Sequence, residues 1–166
     1  APLGRRVELE ALVRAGRLDY RQPQFELLDI TRYLAGVALT RHGIGARSGR
    51  LGAALLAGHD AERRRFSPYG NDKLGARVFG SLALRPRVLL HAELLYLKTH
   101  YHDGRFLGIE RDDELLLALG GVEFAGWPGR GWTIAPQLRF TDNDSTVRLF
   151  AYDRFEAMLF VRRAFD

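Results

Sequence analysis

A chain of 166 residues is long enough for one domain, and its complete lack of cysteine excludes disulfides, thiolate metal sites and cysteine nucleophiles. No apolar run approaches the ~20 residues of a spanning helix, which excludes helical membrane spans but not a membrane strand, for which ~9 to 11 residues suffice. The formal charge of +5 is spread along the chain, in Arg63-Arg64-Arg65 but also throughout the alternating segments, rather than gathered on one groove with interleaved aromatics; nucleic acid is therefore not an expected partner.

In chain order, Ala1-Pro2-Leu3-Gly4-Arg5-Arg6 passes directly into a strand pattern, so the expectation is that a signal peptide has been removed or that the sequence is an excised segment. Period-two alternation then predicts eight strands. The first places Val7, Leu9, Ala11, Val13 and Ala15 opposite Glu8, Glu10, Leu12 and Arg14. The second runs from about Asp29 to Arg41, with Tyr33, Ala35, Val37 and Leu39 on one face and Arg32 on the other. The third alternates Leu51, Ala53, Leu55 and Ala57 with Arg50, Gly52, Ala54 and Leu56. The fourth sets Leu74, Ala76, Val78, Leu82 and Leu84 against Lys73, Arg77 and Ser81, and the fifth sets Val88, Leu90, Ala92, Leu94 and Tyr96 against His91 and Glu93. The sixth runs from Glu114 to Phe124, and the eighth from Phe155 to Phe165, with Glu156 and Arg162 turned away from Leu159 and Val161. The seventh, Trp132 to Thr141, is the most regular of them, although Pro136 withdraws a ladder donor and favours a bulge or an edge there.

Connection lengths alternate. Short turns are expected at Gly43 to Gly49, Arg85-Pro86-Arg87 and Gly126 to Gly131, and long polar loops at Leu18 to Glu26, His59 to Asp72, Tyr101 to Asp113 and Asp142 to Arg154. Short turns on one side, long loops on the other and an even strand count are the pattern of bacterial outer-membrane barrels. A soluble barrel shows the same alternation with its apolar face inward, so the parity of the connections decides between them. The expected fold is thus all-β: an antiparallel up-and-down transmembrane β-barrel of about eight strands, either complete or a piece of a larger one, formed by residues 1–166 as a single domain. Glu8, Glu10, Arg14, Arg77, Glu93, Arg139, Glu156 and Arg162 are expected to face the lumen, and Trp127, Trp132 and Phe165 to form an aromatic girdle at the short-turn end. In a closed small barrel those charges must pair densely; in a wide pore they would be solvated.

From Ile109 onward the residues carry a more specific likeness. Glu110-Arg111-Asp112-Asp113-Glu114 opens a strand, Gly126-Trp127 precedes Trp132 to Pro136, and Asp142-Asn143-Asp144-Ser145, Tyr152-Asp153-Arg154 and Phe160 to Phe165 follow. This order resembles the C-terminal barrel of the surface lipoprotein assembly modifier family, outer-membrane proteins similar to type XI secretion components. The resemblance implies export of lipoproteins or soluble cargo to the surface of a Gram-negative cell. It also implies outer-membrane lipid, barrel-assembly machinery, exported cargo and other barrel segments as partners. The family's periplasmic helical repeats and its additional strands are not among these residues.

Other chemistry is weaker. His100, His102 and Asp103 could ligate a metal, but no third ligand is fixed by spacing, so a polar loop is the expectation. Ser145 with His100 or His102 would be the pair for a lipid-modifying enzyme, yet no nucleophile motif surrounds Ser145. Asp112, Asp113 and Arg154 are expected to bridge neighbouring loops. No catalytic residue, metal or cofactor is expected, and the alternative to an export barrel is a small structural or adhesive barrel with a packed interior.

Overall fold

The computed structural model of the protein describes residues 6–19, 29–44, 49–62, 69–102 and 109–164. Eight strands form one antiparallel sheet in which each pairs with its neighbours in sequence: β1 (Val7–Leu18), β2 (Ile30–Ile44), β3 (Gly49–Glu62), β4 (Asn71–Arg85), β5 (Val88–Tyr101), β6 (Asp112–Ala125), β7 (Trp132–Ser145) and β8 (Tyr152–Arg163). The up-and-down order follows from short connections, since antiparallel neighbours need only a tight turn. The sheet is open: among the described residues β1 pairs only with β2, and β8 only with β7.

The registers align the alternating positions across strands. Val37 faces Leu55, Leu55 faces Ala76, Ala76 faces Tyr96, and Tyr96 faces Leu116. One face therefore carries a continuous apolar band, running from Leu74 to Leu82 in β4, Val88 to Tyr96 in β5 and Leu116 to Phe124 in β6. Toward the β3–β4 and β5–β6 connections the band gives way on the same face to His59, Asp72, Lys98, His100, Asp112 and Glu114, which also stand opposite one another in register.

The sheet curls toward its other face. Glu10 and Leu12 of β1 line one cavity together with Glu93 and Leu95 of β5, although four strand spacings in a flat sheet would hold them about 19 Å apart. On this concave side lie most of the enclosed residues, the majority of them polar: Thr40, Asp60, Asn71, Thr99, Asp113, Thr141 and Asn143, with Ile30, Ala54 and Ala135. The convex side exposes Val13, Leu55, Leu74, Phe155 and Leu159.

Several boundaries depart from the sequence pattern. The β7–β8 connection is not a long loop: Asp142 to Ser145 continue β7, pairing with Leu116 to Asp113 of β6, and only residues 146–151, the same length as the 126–131 turn, remain, including one 3₁₀ turn at Arg148–Phe150. His59 to Glu62, Asn71-Asp72 and Tyr101 are likewise strand residues rather than loop. Ladder hydrogen bonds use backbone groups alone, so polar side chains extend a strand where its neighbours continue alongside. Pro136 lies in a strand flanked on both sides, and its missing N–H shows as a gap: pairing with β6 stops at Gln137–Gly121 and resumes at Ile134–Phe124. Gly43, at φ 73°, makes the register shift between the His42–Arg50 pair and the last β2–β3 pair, Ile44–Gly49.

Candidate functional site: the concave face and its rim

All eight residues expected to face a lumen fall on the concave-face parity of their strands, and the fold brings most of them to partners. Arg77 of β4 meets Glu93 of β5, Nη2 to Oε2, at 2.5 Å, and its guanidinium lies 4.8 Å from the ring centroid of Phe79. Arg139 of β7 meets Glu156 of β8, which stands directly opposite; Nε donates to Oε2 at 2.6 Å. Arg154 joins the same carboxylate at 3.3 Å rather than bridging loops with Asp112 and Asp113. Arg162 reaches Glu123 at 3.8 Å, and Glu8 lies 3.1 Å from His42 Nε2. Glu10 lines the cavity that holds Arg77 and Glu93, with a volume of ≈ 510 Å³ and apolar neighbours Leu34, Leu56 and Phe79. Arg14 stands opposite Leu34. The face is thus part paired and part solvated.

A second polar layer closes the concave face near the β3–β4 and β5–β6 connections. Asp60, 2% exposed, accepts from Arg32 Nε at 2.9 Å, from Arg32 Nη2 at 3.0 Å and from Lys73 Nζ at 2.6 Å. Burial alone would raise its pKa, but the hydrogen bonds and charges of Arg32 and Lys73 outweigh burial and hold the carboxyl below its ordinary range. Arg111 donates to Asp113 through Nε at 3.1 Å and Nη2 at 2.5 Å, while its guanidinium stacks 3.5 Å over Phe150 and 4.2 Å over Tyr101. Asp113 also accepts from Ser145 Oγ at 2.6 Å. Arg32 and Lys73 fall on the expected polar faces of their strands, but the layer went unread in the sequence because Asp60, Arg111, Asp113 and Ser145 fall on stretches that look like loop; extending the alternation of the third strand by a few residues would have placed Asp60 near Lys73 on the neighbouring strand.

Ser145 is therefore committed to Asp113 on the concave side, whereas His100 Nδ1 lies 2.6 Å from Asp112 Oδ1 on the convex side. The two expected members of a nucleophile–base pair belong to different networks. His100 and His102 do share a face, with ring centroids 6.2 Å apart, but His102 Nε2 lies against Asp72 Oδ2 at 2.7 Å and His59 Nδ1 against Asp72 Oδ1 at 2.7 Å. Hydrogen bonds from His102 and His59 hold the Asp72 carboxyl below its usual range. Asp103 lies outside the described residues.

At the short-turn end Trp127 is exposed, and Trp132 carries the Arg163 guanidinium 5.2 Å from its ring. Phe165 lies outside the described residues. Compared with protein-family models, with curated proteins and with solved structures, the chain matches none.

Proposed function

We propose that the chain forms part of the wall of a bacterial outer-membrane β-barrel, its convex face toward lipid and its concave face toward a polar lumen. One observation carries the reading: most of the well-exposed large apolar side chains lie on the convex face, whereas the most enclosed residues of the concave face are mostly polar and stand among half-buried leucines. A soluble barrel would enclose Val13, Leu55 and Leu159; contiguous exposed apolar surface of this extent needs a lipid or protein cover. The band's dimensions agree with lipid. About nine residues at ~3.3 Å each, tilted by ~40°, give a height of about 23 Å, close to the ~25 Å apolar belt of such barrels. No helix among the described residues is long and apolar enough to cross a membrane, which says nothing of strands.

The open edges favour a larger wall over a closed eight-stranded one. Unpaired backbone groups are costly in hydrocarbon, so this reading gives β1 and β8 further strands as partners. A packed structural barrel would instead require a β1–β8 ladder and dense pairing of its interior charges. The partly solvated Arg77, Arg139 and Arg162 suit a wetted lumen better. With the resemblance of the segment after Ile109 to surface lipoprotein assembly modifiers, this supports a barrel that takes lipoproteins or soluble cargo to the cell surface.

Two measurements test the proposal. The protein should remain in the membrane pellet after an alkaline wash and migrate differently before and after boiling in detergent; solubility in buffer without detergent rejects the membrane reading. Deleting its gene should remove cargo lipoprotein from the protease-accessible cell surface, and an unchanged surface population rejects the export role.

A further inference from the structure

Three strands bring together ligand atoms that the sequence holds far apart. His59 of β3 stands directly opposite Asp72 of β4, and His102 follows the last residue of β5. The two imidazoles grip the two oxygens of one carboxylate, each at 2.7 Å, and one donor atom from each of the three residues lies within 4.8 Å of the others. Their ring centroids are 5.6 Å apart. Backbone bonding fixes this approach: the His102 N–H donates to the Gly70 carbonyl at 3.1 Å, which fastens the end of β5 against the start of β4. All three side chains are exposed beyond the apolar band, so an ion in solution can reach them without unfolding.

We propose that His59, Asp72 and His102 form a binding site for a divalent first-row transition ion of the Zn²⁺ class. Two imidazole nitrogens with one carboxylate oxygen suit such an ion, whereas Ca²⁺ and Mg²⁺ favour oxygen ligands throughout. A tetrahedral zinc with bonds near 2.0–2.1 Å spaces its donors about 3.3 Å apart. To admit it, a 2.7 Å nitrogen–oxygen contact must lengthen by roughly 0.6 Å while donor atoms that stand up to 4.8 Å apart draw together by as much as about 1.5 Å, movements open to exposed side chains. The ring protons that now face the carboxylate leave or move to the opposite nitrogen as the metal takes their place. Three protein ligands leave one position for water. His100, opposite Asp72 on β5, stays outside the set because its Nδ1 is engaged by Asp112. The bound ion ties β3, β4 and β5 together where the β3–β4 and β5–β6 connections leave the sheet. The site rests on side-chain geometry and not on the membrane reading.

The test is calorimetric titration of Zn²⁺ into the tag-free full chain in detergent, previously stripped with a chelator. One ion per chain is expected. His59→Ala and His102→Ala should each weaken binding at least tenfold, Asp72→Asn should do the same, and His42→Ala should leave it unchanged, with far-ultraviolet circular dichroism showing that every variant keeps its strands. Cu²⁺ in the same site should give an electron paramagnetic resonance spectrum with coupling to two imidazole nitrogens, reduced to one in either histidine variant. Wild-type affinity no greater than that of a His59→Ala/His102→Ala double variant overturns the site, as does equal weakening by His42→Ala.

Discussion

Leu55 and Asp60 belong to the same strand and point to opposite faces of the sheet, and it is the leucine that is 68% exposed and the aspartate that is 2% exposed. In water this ordering is inverted: burying a charge is costly unless it is paired, and exposing leucine forfeits its burial free energy. Asp60 is paired by Arg32 and Lys73, which answers the first cost. Lipid against the convex face, as proposed, would answer the second.

Val78 lies near the middle of the band, between Ala53 and Leu94 on the neighbouring strands. Val78→Arg should destabilise the protein by about 2–4 kcal/mol in a bilayer, the cost of arginine at the midplane of a barrel's lipid face. Urea unfolding of the variant in lipid vesicles checks it. A stability within about 0.5 kcal/mol of wild type, as expected for a solvated surface, would put the convex face in water.

Asp60→Asn should cost about 1–3 kcal/mol at neutral pH, because Arg32 and Lys73 would then face an amide instead of a carboxylate. The folded carboxyl has a depressed pKa, so its stabilising contribution is fully present above the unfolded value near 3.9 and fades as pH falls through the lower folded value. Denaturant curves of wild type and variant should therefore differ most at pH 7 and converge below about pH 4. A gap that stays constant across that range would mean Asp60 acts through shape and not charge.

Two glycines separate close packing from open space. A Cβ at Gly75 would lie 2.6 Å from the Tyr96 carbonyl oxygen on the next strand, whereas a Cβ at Gly120 would meet nothing within 4 Å. Gly75→Ala should lose about 1–3 kcal/mol, the range of overpacked positions, and Gly120→Ala should be tolerated. Thermal unfolding of the two variants side by side compares them, and equal effects would show that the β4–β5 approach is looser than described.

The eight strands and their order were legible because each apolar band repeats with period two over most of a strand. Less legible were the strand ends. Asp142, Asn143, Asp144 and Ser145 have the composition of a turn, yet they continue the ladder to β6, and the Asn143 side chain then donates to the Phe150 carbonyl to close the connection. The same blindness hid the metal-type cluster. His102 was visible, but its companions His59 and Asp72 come from strand ends read as loop, and only the register of β3 on β4 makes them neighbours. The openness of the sheet was not legible at all, since alternation within a strand carries no information about whether β1 and β8 meet.

The most direct test of the inverted faces is site-directed spin labelling along β5, for which the cysteine-free chain needs no prior substitution. Single cysteines from Leu89 to Tyr96, labelled and reconstituted in lipid vesicles, should show oxygen accessibility highest at Leu90, Ala92, Leu94 and Tyr96 and aqueous nickel-chelate accessibility highest at the positions between them. Labels at Lys98 and His100, beyond the band on the same face, should turn to the aqueous reagent. Equal access of the nickel chelate to both sets of positions would contradict a lipid-facing wall.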